Sequence, residues 1–267
     1  MNYLSVEFLL ASFLIFVRIA AMIATTPFFN NQSVPNQIKV FTAVVLTIAL
    51  FPIIPVYGAV FPMDASILDI LIAILKEMLV GISMGLVGQM IFAGVQMGGE
   101  LMSVNMGLSF ASVVDPMNQR QSGLLTQLFT FIGILLFLGI GGHRIYIRAL
   151  AQSFDIVPLG AAEPVGATFT FLEMAMYLFV VAVQMASPFI LVLFLLDVCL
   201  AIFARIMPQA NIFFLSLPLK VGIGVIMLLM VLPYLPAAFQ HFFNSLWGYL
   251  DQAIQASLAR ERLAPDL

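Results

Sequence analysis

Residues 67–95 read ILDILIAILKEMLVGISMGLVGQMIFAGV, and the fold class is decided on this stretch. It is a long apolar run with no proline, interrupted by the adjacent Lys76 and Glu77 and dotted with glycine. Gly81, Gly85 and Gly88 fall at i, i+4 and i+7, and Gly94 and Gly98 repeat the i+4 step. Rows of small residues at this spacing let helix backbones approach closely where hydrophobic burial does not drive association. The stretch therefore predicts an apolar helix with a tight helix–helix contact, made within the chain or with a partner.

The remaining sequence agrees with that reading. Of its 267 residues 63% are hydrophobic and only 9% charged, and the mean hydropathy is +1.12. A soluble domain carries about 25% charged residues, so this chain cannot cover a globular surface with groups that tolerate water. Disorder is excluded as well, because it requires low hydrophobicity and high net charge. What is left is an all-α membrane protein with room, at about 20 apolar residues per crossing, for about six long helices. The formal net charge of −3 gives no basic surface for nucleic acid. The lone Cys199 excludes a multi-cysteine metal or redox centre, and the widely separated His143 and His241 argue against a histidine site. Segment 1–26 carries Glu7 and Arg18 and reads as a retained first helix, not a leader.

Pro, Gly and Asn clusters divide the chain into apolar runs. The first is 8–26, closed by Pro27 and a polar turn through Asn30, Asn31 and Gln32. The second is 40–54, the third 67–95, the fourth 124–140, the fifth 169–203 with Pro188 splitting it, and the sixth 212–232. A polar stretch occupies 143–168, and nothing marks a separate soluble domain, so 1–267 reads as one integrated helical unit. Lys39, Arg120 and Arg205 on one side are set against Arg144, Arg148, Arg260 and Arg262 on the other, too even a split for the positive-inside rule to orient the chain. Either the signal is marginal, or the helices pack as hairpins inside a larger assembly and do not each cross a bilayer.

Ionisable side chains inside apolar runs need a partner or a water-filled path. Here they are Arg18, Lys76, Glu77, Glu173, Asp197, Arg205 and Lys220, mixed in sign and scattered, which favours charge pairs between helices or subunits over an ion relay. Segment 96–122 is hydrophobic yet too broken to span as a helix, and reads as a re-entrant plug or an amphipathic connector. In the tail, 239–267, Phe243, Trp247, Leu250, Ile254 and Leu258 share a face, suiting a lipid interface or a partner's groove. No P-loop, HExxH or GxSxG motif occurs, so an enzyme is not expected, nor a cofactor.

Four stretches carry a family resemblance. They are Arg18 running into Thr26-Pro27-Phe28-Phe29 and Val34-Pro35; Lys76-Glu77 with Gly81 and Gly85; Gly107-Leu108-Ser109-Phe110-Ala111-Ser112-Val113-Val114-Asp115-Pro116; and Pro208-Gln209-Ala210-Asn211-Ile212-Phe213-Phe214 followed by Leu217-Pro218-Leu219-Lys220 and Gly224. In order and spacing they resemble the FliR family of type III secretion export-gate subunits. The resemblance implies a chain packed like a FliP–FliQ fusion, one subunit of a helical pore made with FliP and FliQ, with FlhB around its cytoplasmic mouth. It implies a place in the bacterial inner membrane at the flagellar basal body, in contact with lipid, and passage of unfolded flagellar subunits through the pore. Met106, Gly107, Leu108, Phe110, Val113, Val114, Asp115 and Pro116 would then belong to the plug, with Phe110, Val113 and Val114 facing the pore. Gly107 and Gly123 would serve as its hinges, and Asp115-Pro116 would stiffen one end. Two rivals stand beside this. A stand-alone secondary transporter would use Glu173, Asp197 and Lys220 as a midplane relay, but the halves show no convincing internal repeat. An inert scaffold would leave segment 96–122 without a role.

Overall fold

The computed structural model describes residues 6–27, 29, 34–54, 66–109, 123–160, 168–209, 211–245 and 248. The chain is all-α: α1 Val6–Thr25, α2 Asn36–Leu50, α3 Ile67–Asn105, α4 Leu124–Gly139, α5 Gly142–Ile156, α6 Thr168–Ile206 and α7 Ile212–Val231. A 3₁₀ turn at Leu232–Tyr234 follows α7, and helix resumes over 235–245. Among the described residues four helical segments are long and apolar enough to cross a membrane, beginning at Phe8, Ile67, Leu172 and Phe214, and α4 with α5, bent by 66°, makes a fifth if the pair is one span. α3 and α6 have 39 residues each. At about 1.5 Å per residue each is close to twice as long as a hydrocarbon core of about 30 Å requires.

The chain forms two compact units. The first holds α1, α2, α3 up to Met90, α5, and α6 up to Met174; the second holds α3 from Ile91, α4, α6 from Ala175, and the chain from α7 to Ser245. In the first unit α1 buries Ala11, Leu14, Ile15, Arg18, Ile19, Met22 and Ile23, a continuous stripe at helical spacing. α2 packs beside it, with Phe8 and Phe51 meeting edge-on at 4.7 Å between ring centroids. In the second unit Phe92, Phe137 and Phe243 form an aromatic row with centroid separations of 6.0 and 5.3 Å. Gly133 leaves room for the ring of Phe239.

Several sequence boundaries move. The third run does not end at Val95 but continues as helix to Asn105, so residues 96–105 of the expected loop are helical. Gly94, Gly98 and Gly99 lie inside the helix. A side chain at Gly94 or Gly98 would press on Leu178, Val181, Ala182 and Met185 of α6, and one at Gly99 on the first turn of α4. The polar stretch 143–168 begins with an amphipathic helix, α5, which buries Tyr146, Leu150, Ser153 and Phe154. Pro188 does not split α6. Proline deprives the carbonyl four residues earlier of its N–H partner, and the Ser187 hydroxyl donates to that carbonyl, Gln184 O, at 2.9 Å. α2 begins at Asn36, earlier than Val40, and ends at Leu50. Of the expected tail stripe, Phe243 is buried, whereas Trp247, Leu250, Ile254 and Leu258 lie outside the described residues.

Candidate functional site

In the first unit the glycine row of α3 faces α1 and α5. A Cβ at Gly81 would run into the Arg18 carbonyl, one at Gly85 into Thr25 and the Met22 carbonyl, and one at Gly88 into the Tyr146 hydroxyl. At Gly81, Gly85 and Gly88 α3 lies close against α1 and α5 of the same chain. Two of these four obstructions, the Arg18 and Met22 carbonyls, are backbone, which cannot step aside.

That approach lets Arg18 reach Glu77, and neither side chain has any exposure. The guanidinium grips the carboxylate with two donors, Nε to Oε2 at 2.5 Å and Nη2 to Oε1 at 3.1 Å. Its remaining capacity goes to the end of α5: Nη1 donates to Ser153 O at 3.0 Å and Oγ at 3.3 Å, and Nη2 to Val157 O at 3.0 Å. Carbonyls at a helix C-terminus carry partial negative charge, so a cation is favoured there; Ser153 O accepts the Val157 N–H at 2.9 Å as well. The Phe154 ring lies 4.2 Å beneath the guanidinium carbon. Glu77 Oε1 also accepts the Gly160 N–H at 2.9 Å, which is aimed by a left-handed turn, φ +80° at Gly160. The residue preceding Glu77, Lys76, brings Nζ to 3.5 Å from Gly160 O. One buried cluster therefore ties α1, α3, α5 and the turn after α5.

In the second unit α3 ends in a glycine cap. The Leu108 N–H donates to Ser103 O and the Gly107 N–H to Val104 O, both at 3.0 Å, with Gly107 left-handed at φ +78°. This paired pattern satisfies carbonyls that would otherwise be orphaned at the helix end. Met106 is buried and lies over Gly224 of α7, where a Cβ would collide with its sulfur and terminal methyl. A Cβ on Gly107 would come to 3.0 Å from Leu217 Cδ1. Leu108 is half-buried; Phe110, Val113, Val114, Asp115 and Pro116 lie outside the described residues. The four stretches singled out in the sequence thus meet in pairs: Arg18 with the Glu77 and Gly81 region, and the Gly107 turn with Leu217 and Gly224.

On α6 and α7, Lys220 Nζ approaches Asp197 Oδ1 at 2.7 Å and Oδ2 at 2.9 Å. Arg205, in the last turn of α6, and Glu173 are exposed. Among the described residues no group of three or more His, Cys, Asp or Glu side chains gathers as a metal site.

Residues 9–246 match the family described as bacterial export proteins, family 1. The chain belongs to that family. It is 32% identical to the flagellar biosynthetic protein FliR of Aquifex aeolicus over 258 residues, covering 94% of this chain and 96% of that one. Identity to the FliR of Bacillus subtilis is 31%, covering 88% and 90%, and to that of Escherichia coli 30%, covering 89% and 90%.

For a bacterial export protein of this family, sequence reasoning singled out the segment after α3 but missed the carboxylate beside it. Glu100 Oε2 accepts the Thr126 hydroxyl at 3.0 Å, and Oε1 lies 3.5 Å from Ser109 Oγ. Ser109 Oγ is also 3.5 Å from Ser103 Oγ. A signal was available, since Glu100 directly follows Gly98-Gly99 and is an acidic group in an otherwise apolar neighbourhood.

Proposed function

We propose that this chain is a non-enzymatic subunit of the flagellar type III protein export gate, in the bacterial inner membrane at the basal body. With FliP and FliQ it forms the channel for unfolded flagellar subunits, FlhB lies at the cytoplasmic mouth, and residues 107–116 act as a hydrophobic plug. The family and the named relatives supply the export role, and the outer face of α6 and α7 supplies the argument for assembly.

In their most apolar windows only 11% of the α6 residues and 6% of the α7 residues are buried. Leu191, Phe194, Leu195, Ile202, Phe214, Ile226, Leu229 and Met230 are all exposed. Lipid alone could cover such a face were it not for Asp197, whose side chain is 51% exposed in the middle of it. A carboxylate is expensive in hydrocarbon and turns to protein or to water. Other helical subunits packed on this face supply such surroundings. A plug built from Met, Leu, Phe and Val suits the task, because flexible apolar side chains adapt to varied passing chains and a hydrophobic constriction excludes ions by dewetting.

The test is purification of a tagged copy from native membranes in mild detergent, with identification and weighing of what accompanies it. One copy in a stable complex with several small hydrophobic proteins is the expected result. Recovery alone or as a homodimer overturns the reading and turns attention to Glu173, Asp197 and Lys220 as a transporter's relay.

A further inference from the structure

α4 starts without help from its own sequence. Its N-cap is Gly123, which has no side chain and makes no capping hydrogen bond. The first turn of a helix presents N–H groups without intrahelical partners and the positive end of the helix dipole, so it favours a nearby carboxylate. Glu100 of α3 is that carboxylate. Gly99 brings the two backbones together there, its missing Cβ leaving 3.0 Å to Thr126 Cα and 3.3 Å to Leu125 O. Gly123 leaves similar room, since a Cβ on it would lie 3.1 Å from Glu100 Oε2 and 3.2 Å from Ser103 Oγ. Thr126, buried, donates its hydroxyl to Oε2 at 3.0 Å.

The other oxygen of the same carboxylate faces the opposite end of the segment. Oε1 lies 3.5 Å from the hydroxyl of Ser109, the residue that follows the Gly107 cap and Leu108, and buried Ser103 stands 3.5 Å from that hydroxyl as well. The chain leaves α3 at Ser109 and enters α4 at Gly123, and Glu100 is next to both points. We infer that Glu100 is a positioning residue, a clasp that fixes the two ends of segment 110–122 to one place on α3. The inference rests on reading that segment as the export plug. Its chemistry is specific: two acceptor oxygens on one side chain, one for each end, with glycines at 99 and 123 admitting the carboxylate.

The test uses the assembled export complex in native membranes, with two readouts: recovered complex, and leak of small ions when no substrate is in transit. Four versions of the chain are compared with wild type: Glu100→Ala, Glu100→Gln, Thr126→Val, and Val113 and Val114 both replaced by Gly. Glu100→Ala is expected to assemble and to raise the leak about tenfold, the shift that follows from losing one hydrogen bond to a charged group. Glu100→Gln is expected to fall between wild type and Glu100→Ala, because its amide oxygen still accepts from Thr126 while its uncharged NH2 group cannot accept at the Ser109 end, and Thr126→Val is expected to leak nearly as much as Glu100→Ala. If the Val113 and Val114 replacement leaks while Glu100→Ala and Thr126→Val stay tight, the clasp is overturned and the plug stands. If none of them leaks, the plug reading falls and the clasp with it. A Gln variant as leaky as the Ala variant overturns the hydrogen-bonded basis. Should Glu100→Ala fail to assemble, Thr126→Val decides: leak with intact complex supports the clasp, and tightness overturns it.

Discussion

Arg18 with Glu77 and Lys220 with Asp197 are ion pairs of the same basic chemistry in opposite surroundings. The first has no exposure on either side chain. The second leaves 22% of Lys220 and 51% of Asp197 uncovered. A buried pair persists only when its geometry is good and the remaining donors and acceptors are satisfied, and the first unit meets that demand with Ser153, Val157 and Gly160. Among the described residues the second pair has no such shell, and it sits on a face otherwise apolar. An exposed pair in water contributes little to the stability of a chain. The difference separates two settings of charge in one protein: the first pair lies closed inside the fold, and the second lies on the exposed apolar face of α6 and α7.

That contrast can be broken or sharpened by substitution. The largest effect is expected from Glu77→Ala, which strands a buried guanidinium and costs about 3–5 kcal/mol. Tagged protein should all but vanish from membranes, whereas replacing both partners, Arg18→Met with Glu77→Leu, should recover a large part of the loss. Complex recovered intact with Glu77→Ala, but unable to export, would assign the pair to transport and erase the distinction. Next comes Gly81→Val or Gly85→Val, which drives a side chain into the backbone and side chains of α1. A cost of about 1–3 kcal/mol is expected from overpacking, read as a lower unfolding temperature in detergent. Gly107→Ala, at φ +78°, should cost about 1–2 kcal/mol, with its loss confined to protease sensitivity near the end of α3. The smallest effect on the chain itself is expected from Asp197→Asn, below about 1 kcal/mol, yet co-purification with other subunits should fall. An unfolding temperature that drops as far as in Glu77→Ala would place Asp197 in the fold after all.

Much of the architecture is legible in the residues. The apolar runs locate α1, α4, α6 and α7, because a long hydrophobic segment has few alternatives to helix. α3 is misjudged at its C-terminal end for a physical reason: segment 96–122 reads as too broken to span, yet its first ten residues continue the helix, and Gly98 and Gly99 lie there because another helix comes close. α5 is hidden by His143, Arg144, Arg148 and Asp155, which lower its hydropathy, although Tyr146, Leu150, Ser153 and Phe154 keep helical spacing. Arg18 and Glu77 can each be suspected of needing a partner, but no local rule joins residues 59 positions apart. Glu100 escapes because its importance lies in Gly123 and Thr126 across a segment boundary, and not in any pattern of its own.

The Arg18 cluster also sets a schedule for synthesis. Arg18 emerges first, Glu77 follows 59 residues later, and Val157, whose carbonyl takes another of its donors, follows Arg18 by 139 residues. At ribosomal speeds of about 5–20 residues per second, the interval to Val157 is on the order of 10 s. Throughout it α1 carries a guanidinium that hydrocarbon does not welcome, so the first helix cannot take its final place before α5 has been made. The nascent N-terminal unit has to be sheltered by water, by lipid headgroups or by the insertion machinery, and it is during this interval that a faulty copy is most open to destruction.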